Sequence, residues 1–257
     1  MNHINQYKSI FLSDIHLGFN GCQNEKLLAF LEQVDFQDLY LVGDIVDLWS
    51  MQDNFYWPNT HHKILELFID FHNKGKNVLF ITGNHDDPLR DEEETNKLRN
   101  KGSPYPEIID ALQSFKTSDR EVIINKKYGK ILVIHGDQYD VVTSNAKWIS
   151  KLGGLIYDCL IFLNRPLSKF LKRTTKKIVN KAGNFHKLIK NECLENGYDA
   201  LMCGHIHIPE IKRHQNYSYI NTGDWIESCT AVVENFDGEM SLVQLQKNNK
   251  IKIISTL

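Results

Sequence analysis

A chain of 257 residues, 42% hydrophobic and 24% charged, is long enough to bury a full α/β core and too apolar for a disordered or fibrous protein. Its formal charge of −2 gives no argument for a polyanionic partner, and its five cysteines, odd in number and without a C-x-x-C pair, read as thiols of a reducing compartment. No basic-then-apolar leader precedes Asp14 and no run of about 18 apolar residues occurs, so the expectation is a cytoplasmic chain that spans no membrane.

Residues 8–13 read as a buried strand that runs straight into Asp14-Ile15-His16-Leu17-Gly18. Residues 25–33 carry Leu27, Leu28 and Leu31 at helical spacing. Residues 39–42 form a second strand, stopped by Gly43-Asp44. A helix over 61–74 places Ile64, Leu65, Phe68 and Phe71 on one stripe, and a third strand over 77–81 ends at Gly83-Asn84-His85-Asp86. The same grammar returns at 130–134 with His135-Gly136-Asp137, at 200–203 with Gly204-His205-Ile206-His207, and at 217–221 with Thr222-Gly223-Asp224. Two or three closing antiparallel strands are expected between 229 and 255. Strand after strand thus stops at a loop rich in Asp, Asn or His, and in α/β sheets the carboxyl ends of strands are where ligands bind.

Those loops offer a mixed set of carboxylate, imidazole and amide donors: Asp14, His16, Asp44, Asn84, His135, His205 and His207. Such a set suits manganese, iron or zinc better than calcium or magnesium. Asp14 and His16 are two apart, as are His205 and His207, so in extended backbone each pair points one way and can grip one ion. A carboxylate such as Asp44 can bridge two. Two divalent ions about 3.5–4 Å apart would clamp the attacking and leaving oxygens of a phosphorus centre. Singly, any of these histidines could be a packed or surface residue, the reading kept for His3, His61, His62, His72, His186 and His214. Asp47 reads as a helix-start carboxylate. Gly43, Gly83, Gly136 and Gly204 read as tight-turn residues, while Asp137 and Asp224 could be partners of a ligand or turn formers.

The order D-x-H, G-D-x-x-D, G-N-H-D, H-G-D, G-H-x-H, carried here by Asp14/His16, Asp44/Asp47, Asn84/His85/Asp86, His135 and His205/His207, resembles the calcineurin-like metallophosphoesterases. The resemblance spans residues 13–207. It implies a single domain over 1–257, a four-layer α/β/β/α sandwich of two sheets flanked by helices. It also implies that Asp14, His16 and His207 hold a first metal and Asn84, His135 and His205 a second, with Asp44 between. By the same resemblance His85 is the catalytic group at the leaving oxygen, oriented by Asp86.

Between residues 138 and 196 the character changes to a helical pattern, read as a cap inserted over the active face. From 138 to 190 there are eleven Lys/Arg against two acids, with an apolar piece at 152–163. The run is open to two readings: a solvated helix face, or a substrate-binding surface in which Arg165, Lys169, Lys172, Arg173 and Lys176 meet an anionic substrate or lipid head groups.

Within the superfamily the chain is similar to the bacterial UDP-2,3-diacylglucosamine hydrolases, through Ser13-Asp14-Ile15-His16-Leu17-Gly18, Leu41-Val42-Gly43-Asp44-Ile45-Val46-Asp47-Leu48-Trp49 and the insertion after His135-Gly136-Asp137. Asp47 in place of a glutamate, Ser50-Met51-Gln52-Asp53 after the tryptophan and His85 in place of an arginine mark a paralogous branch. The implied function is a dinuclear, manganese-dependent diphosphatase of lipid A biosynthesis working by metal-activated hydroxide on a lipid-nucleotide, with peripheral contact at the inner membrane surface and no nucleic acid partner. The alternative is a phosphodiesterase or nucleotide diphosphatase with another substrate. A non-catalytic scaffold would be expected to lose a ligand, and every motif position is filled.

Overall fold

A computed structural model describes residues 4–139 and 185–257. In chain order the elements are β1 (Asn5–Gln6), β2 (Ser9–Leu12), α1 (Asn24–Leu31), β3 (Val34–Asp35), β4 (Asp38–Val42), α2 (Leu48–Met51), α3 (Asn59–Asn73), β5 (Asn77–Ile81), α4 (Glu92–Arg99) and α5 (Tyr105–Ser114). There follow β6 (Lys116–Ser118), β7 (Arg120–Asn125), β8 (Gly129–Ile134), α6 (Phe185–Asn196), β9 (Ala200–Cys203), β10 (Glu210–Arg213), β11 (Ser218–Asn221), β12 (Thr230–Glu234), β13 (Met240–Leu245) and β14 (Ile251–Thr256).

Two sheets carry the architecture. The larger has seven strands in the order β14-β13-β12-β2-β4-β5-β6, and the smaller has five in the order β10-β11-β9-β8-β7. In the larger, β2, β4, β5 and β6 run parallel, and β12 joins β2 antiparallel. In the smaller, β8, β9 and β11 run parallel between antiparallel edges.

Alternation along each strand explains the layering, because residues two apart share a face. Ile10, Leu12, Leu39, Leu41, Val78 and Phe80 face the helices α1, α3 and α5 in one core. Phe11, Val42, Leu79 and Ile81 face the other way, onto Ile131, Val133, Ala200, Met202 and Ile220 of the smaller sheet. The alternate residues there, Leu132, Ile134, Leu201, Cys203 and Tyr219, are covered by Phe185, Ile189 and Cys193 of α6. The result is the four-layer α/β/β/α sandwich. Strands buried on both faces read as continuous apolar runs, which is why β2, β5, β8 and β9 were legible.

Of the insertion expected over 138–196, residues 140–184 lie outside the described residues, and with them Arg165, Lys169, Lys172, Arg173 and Lys176. The described end of that stretch is α6, which is the sandwich's fourth layer. The region between 87 and 125 adds elements beyond the sequence reading. Asp91 caps α4 by accepting the Glu94 N–H at 3.0 Å, with acids in the first turn and Lys97 and Arg99 in the last, in keeping with the helix dipole. The β6–β7 connection carries the chain from one sheet to the other at Asp119.

His61 joins α3 to the first loop of the site. It is 1% exposed, and its Nδ1 accepts the Gly18 N–H at 2.9 Å, so it is held neutral. Burial lowers its pKa from 6.5 to about 4. The unfolded chain therefore takes up this proton near 6.5 and the folded chain only near 4; the stabilisation is complete above 6.5 and is lost as pH falls through that window. In His61→Asn the side-chain oxygen replaces the acceptor without titrating. The stability difference between wild type and variant should shift by up to about 1.4 kcal/mol per pH unit across the window, read from urea midpoints. Parallel pH profiles would show that His61 is not a buried neutral imidazole.

Candidate metal centre

The parallel strands of the two sheets end side by side, and the loops that follow them supply the polar residues. From the larger sheet come Asp14 and His16 after β2, Asp44 after β4, and Asn84 and His85 after β5; from the smaller come His135 after β8 and His205 and His207 after β9. Asp14, His16 and His207 bring ligand atoms within 4.8 Å of one another, and so do Asp44, His135 and His205. Asn84 Oδ1 meets His135 Nε2 at 3.3 Å, which adds it to the second group. Asp44 Oδ2 lies 3.6 Å from His16 Nε2 and 3.3 Å from His135 Nε2, between the two groups.

Each acidic group is fixed by one oxygen and presents the other. Asp14 Oδ2 accepts from Ser13 Oγ (2.6 Å) and the His205 N–H (2.9 Å), while Oδ1 faces His207 Nε2 at 2.9 Å. Asp44 Oδ1 accepts the His85 N–H at 2.8 Å, which leaves Oδ2 for the imidazoles. His135 Nδ1 donates to the Val42 carbonyl at 3.1 Å; a carbonyl can only accept, so this bond sets the tautomer and turns Nε2 toward Asp44 and Asn84.

The backbone is bent to this purpose. Asp14, His16, Asp44, His205 and His207 all have φ between 50° and 66°, the left-handed region that non-glycine residues rarely adopt. Such strain clusters where surrounding structure over-determines it. The tight-turn reading of the motif glycines holds for Gly43 and Gly136, with φ of 79° and 114°. At Gly83 and Gly204 the reason differs. A Cβ at Gly83 would strike the Asp44 carboxylate, and one at Gly204 the Asp14 carboxylate and the Ser13 hydroxyl, so glycine lets a loop lie directly against each acid.

Burial works against charge on Asp14 and Asp44, yet His207 and His135 respectively hold both carboxylates well below their usual range. Burial likewise opposes a charged His135, but Asp44 overrides it and raises that pKa to about 10. The negative potential that keeps a proton there would also hold a divalent cation. A further observation fits the same group: His16 Nε2 is buried, aimed at Asp44 and Asp14, and without a hydrogen-bond partner among the described residues. A donor set of buried carboxylates, imidazoles and one amide is suited to divalent transition metals.

His85 corrects the expected pairing. Its Nδ1 bonds Asp47 Oδ1 at 2.7 Å, not Asp86. Asp86 is fully buried and accepts the backbone N–H groups of Ile45 (3.3 Å), Val46 (3.0 Å) and Gly83 (3.1 Å), which leaves it under the loop. Burial, and then the Asp44 charge, raises its pKa to about 6. Asp47 does begin a helix, accepting the Ser50 N–H at 3.0 Å, and it also lies 3.6 Å from His16 Nδ1. Burial opposes the His85 charge, but Asp47 and Asp44 raise its pKa to about 9. The second Asp of the G-D-x-x-D motif, Asp47, thus lies with His16 and His85. Asp224 is chiefly a turn former, accepting the Ile226 N–H at 2.8 Å, with Oδ2 3.9 Å from His207 Nδ1. Asp137 pairs with Arg90 at 3.0 Å, a residue the sequence reading passed over.

No helix among the described residues is long and apolar enough to cross a membrane. The sequence profile of the calcineurin-like phosphoesterases matches residues 7–209. A UDP-2,3-diacylglucosamine hydrolase of Aeromonas salmonicida (strain A449) is 25% identical over 258 aligned residues, covering 92% of each chain. Among solved structures, Yfce, a phosphoesterase from E. coli, superposes with a TM-score of 0.51 at 16% identity over 97% of each chain. Vacuolar protein sorting 29 from Cryptosporidium parvum gives 0.46 at 13% identity, over 97% of this chain and 96% of its own. With the profile covering most of its length and the ligand-bearing loops gathered at one edge of the sandwich, this chain belongs to the calcineurin-like phosphoesterase family and is a metal-dependent phosphoesterase.

Proposed function

We propose that this phosphoesterase cleaves the diphosphate of an amphiphilic lipid-nucleotide of the UDP-2,3-diacylglucosamine type. The chemistry rests on one observation, the two ligand groups that meet at Asp44. The substrate class is supported by the relative that matches over 92% of both chains, and by the basic and apolar composition of residues 138–190. Peripheral contact with an anionic inner-membrane surface follows from the same composition.

Asp14, His16 and His207 would hold the first cation and Asn84, His135 and His205 the second, with Asp44 shared; manganese is our choice, iron and zinc the other candidates. Cations held there supply positive charge at the phosphoryl oxygens and acidify water. The chain's own residues do the rest. Asp47 takes the Nδ1 proton of His85 into a short hydrogen bond and leaves Nε2 as the free end of the ring. Against the opposing effect of burial, Asp47 and Asp44 favour the His85 ring in its charged form. It can then donate to the leaving-group oxygen as charge develops, and Asp47 steadies the ring before and after the transfer.

Metal-stripped protein refilled with manganese should turn over UDP-2,3-diacylglucosamine in strong preference to a small chromogenic phosphodiester. Turnover of the small ester alone would keep the phosphoesterase chemistry and discard the lipid-nucleotide substrate. His85→Ala should retain two manganese equivalents and lose ~10²–10⁴-fold in kcat. Asp47→Asn should reproduce part of that loss, whereas loss of a metal equivalent in His85→Ala would show the ring to be a ligand. Reversing the charges of Lys172, Arg173 and Lys176 together should raise KM for the lipid-nucleotide and leave the small ester unaffected; equal effects on both would count against a substrate role for the basic run.

A further inference from the structure

The second ligand group is divided between the sheets. Asp44 and Asn84 follow strands of the larger sheet, His135 and His205 strands of the smaller. Its geometry therefore depends on how closely the β5 and β8 loops are held together. His135 is tied to the β4 end through Val42, and Asp44 through the His85 N–H. Asn84 has no such anchor: among the described residues its side chain bonds only His135. Its position is the position of its loop.

That loop is gripped by Arg90. Nη2 donates to the Thr82 carbonyl (2.8 Å), one residue before Gly83, and Nε donates to Thr82 Oγ1 and to Asp119 Oδ1, both at 3.0 Å. Nη1 reaches across to Asp137 Oδ2 at 3.0 Å, two residues after His135, and to Asp87 at 3.3 Å. All three nitrogens are engaged, and the planar guanidinium spans the β5 loop, the crossover between sheets at Asp119 and the β8 loop at once. A point-charge ammonium cannot span three such partners. The pairs are partly open, with Asp119 70% exposed, and partly exposed pairs contribute little to stability. What the network does supply is a fixed distance between the two loops. The first ligand group does not depend on it, because Asp14 is positioned by Ser13 and the His205 N–H.

We infer that Arg90 is a positioning residue that sets the cation affinity of the Asp44–Asn84–His135–His205 position without touching it. This rests on the dinuclear reading above. The test is titration of the metal-stripped full chain with manganese(II) alone by calorimetry, with electron paramagnetic resonance to detect the coupled pair of ions. Wild type should take two equivalents. Arg90→Met should bind the first as wild type does and the second ~10–100-fold more weakly, with loss of the coupled signal. Arg90→Lys should regain only part of the second affinity. Asp137→Asn, which leaves the guanidinium in place and weakens one tie, should show the same split and carries the test if Arg90→Met fails to fold. Unchanged affinities, or equal weakening of both equivalents in step with a fall in Tm, would overturn the assignment. Fewer than two equivalents in wild type would instead overturn the dinuclear reading, and this inference with it.

Discussion

Asp44 is a carboxylate only 2% exposed, placed at the seam between two sheets, with one oxygen held by a backbone N–H and the other facing imidazoles from both sides. A buried carboxylate without compensation costs several kcal/mol, so the seam is stable only when both sets of loops arrive and bring positive charge or donors with them. The rest follows from that requirement. The strands must end at one edge, the loops must lie flat against the acids, and the two sheets must be packed at a fixed separation by their shared core of Phe11, Val42, Ile81, Val133 and Met202.

The loops meet this demand by accepting unfavourable backbone. Five of the candidate ligand residues are left-handed, at about 1–3 kcal/mol each. They are held so by strands buried on both faces, which leave each loop no freedom to relax. Rigid apolar strands and strained polar loops are therefore two halves of one device. The position of Gly83 against Asp44, and of Gly204 against Asp14, shows the same economy of space.

Strand ends and the polar loops that gather beside them were legible because each is a local pattern, a short apolar run followed at once by Asp, Asn or His. The pattern also located β9, and β5 to the residue. What escaped was pairwise. Asp47 is legible as a helix cap, but nothing local indicates that the same carboxylate faces His16 through Oδ2 and bonds His85 through Oδ1, 31 and 38 residues away. Asp86 is adjacent to His85 in sequence, but the chain turns its carboxylate inward onto three amides, and His85 bonds Asp47 instead. Arg90 joins loops from two sheets and has no motif. The β7 strand alternates exposed and half-buried residues at a sheet edge, a weak pattern beside the buried runs.

Because the candidate ligands come from loops as far apart in sequence as Asp14 and His207, a centre built from them forms only once the two sheets have met. Ions that bind only the folded form stabilise it by mass action, by about 2.7 kcal/mol at a hundredfold excess over Kd. Metal supply is thus coupled to the lifetime of the fold as well as to the chemistry. A cell short of the metal would hold less of this protein, beyond holding it in a less active form.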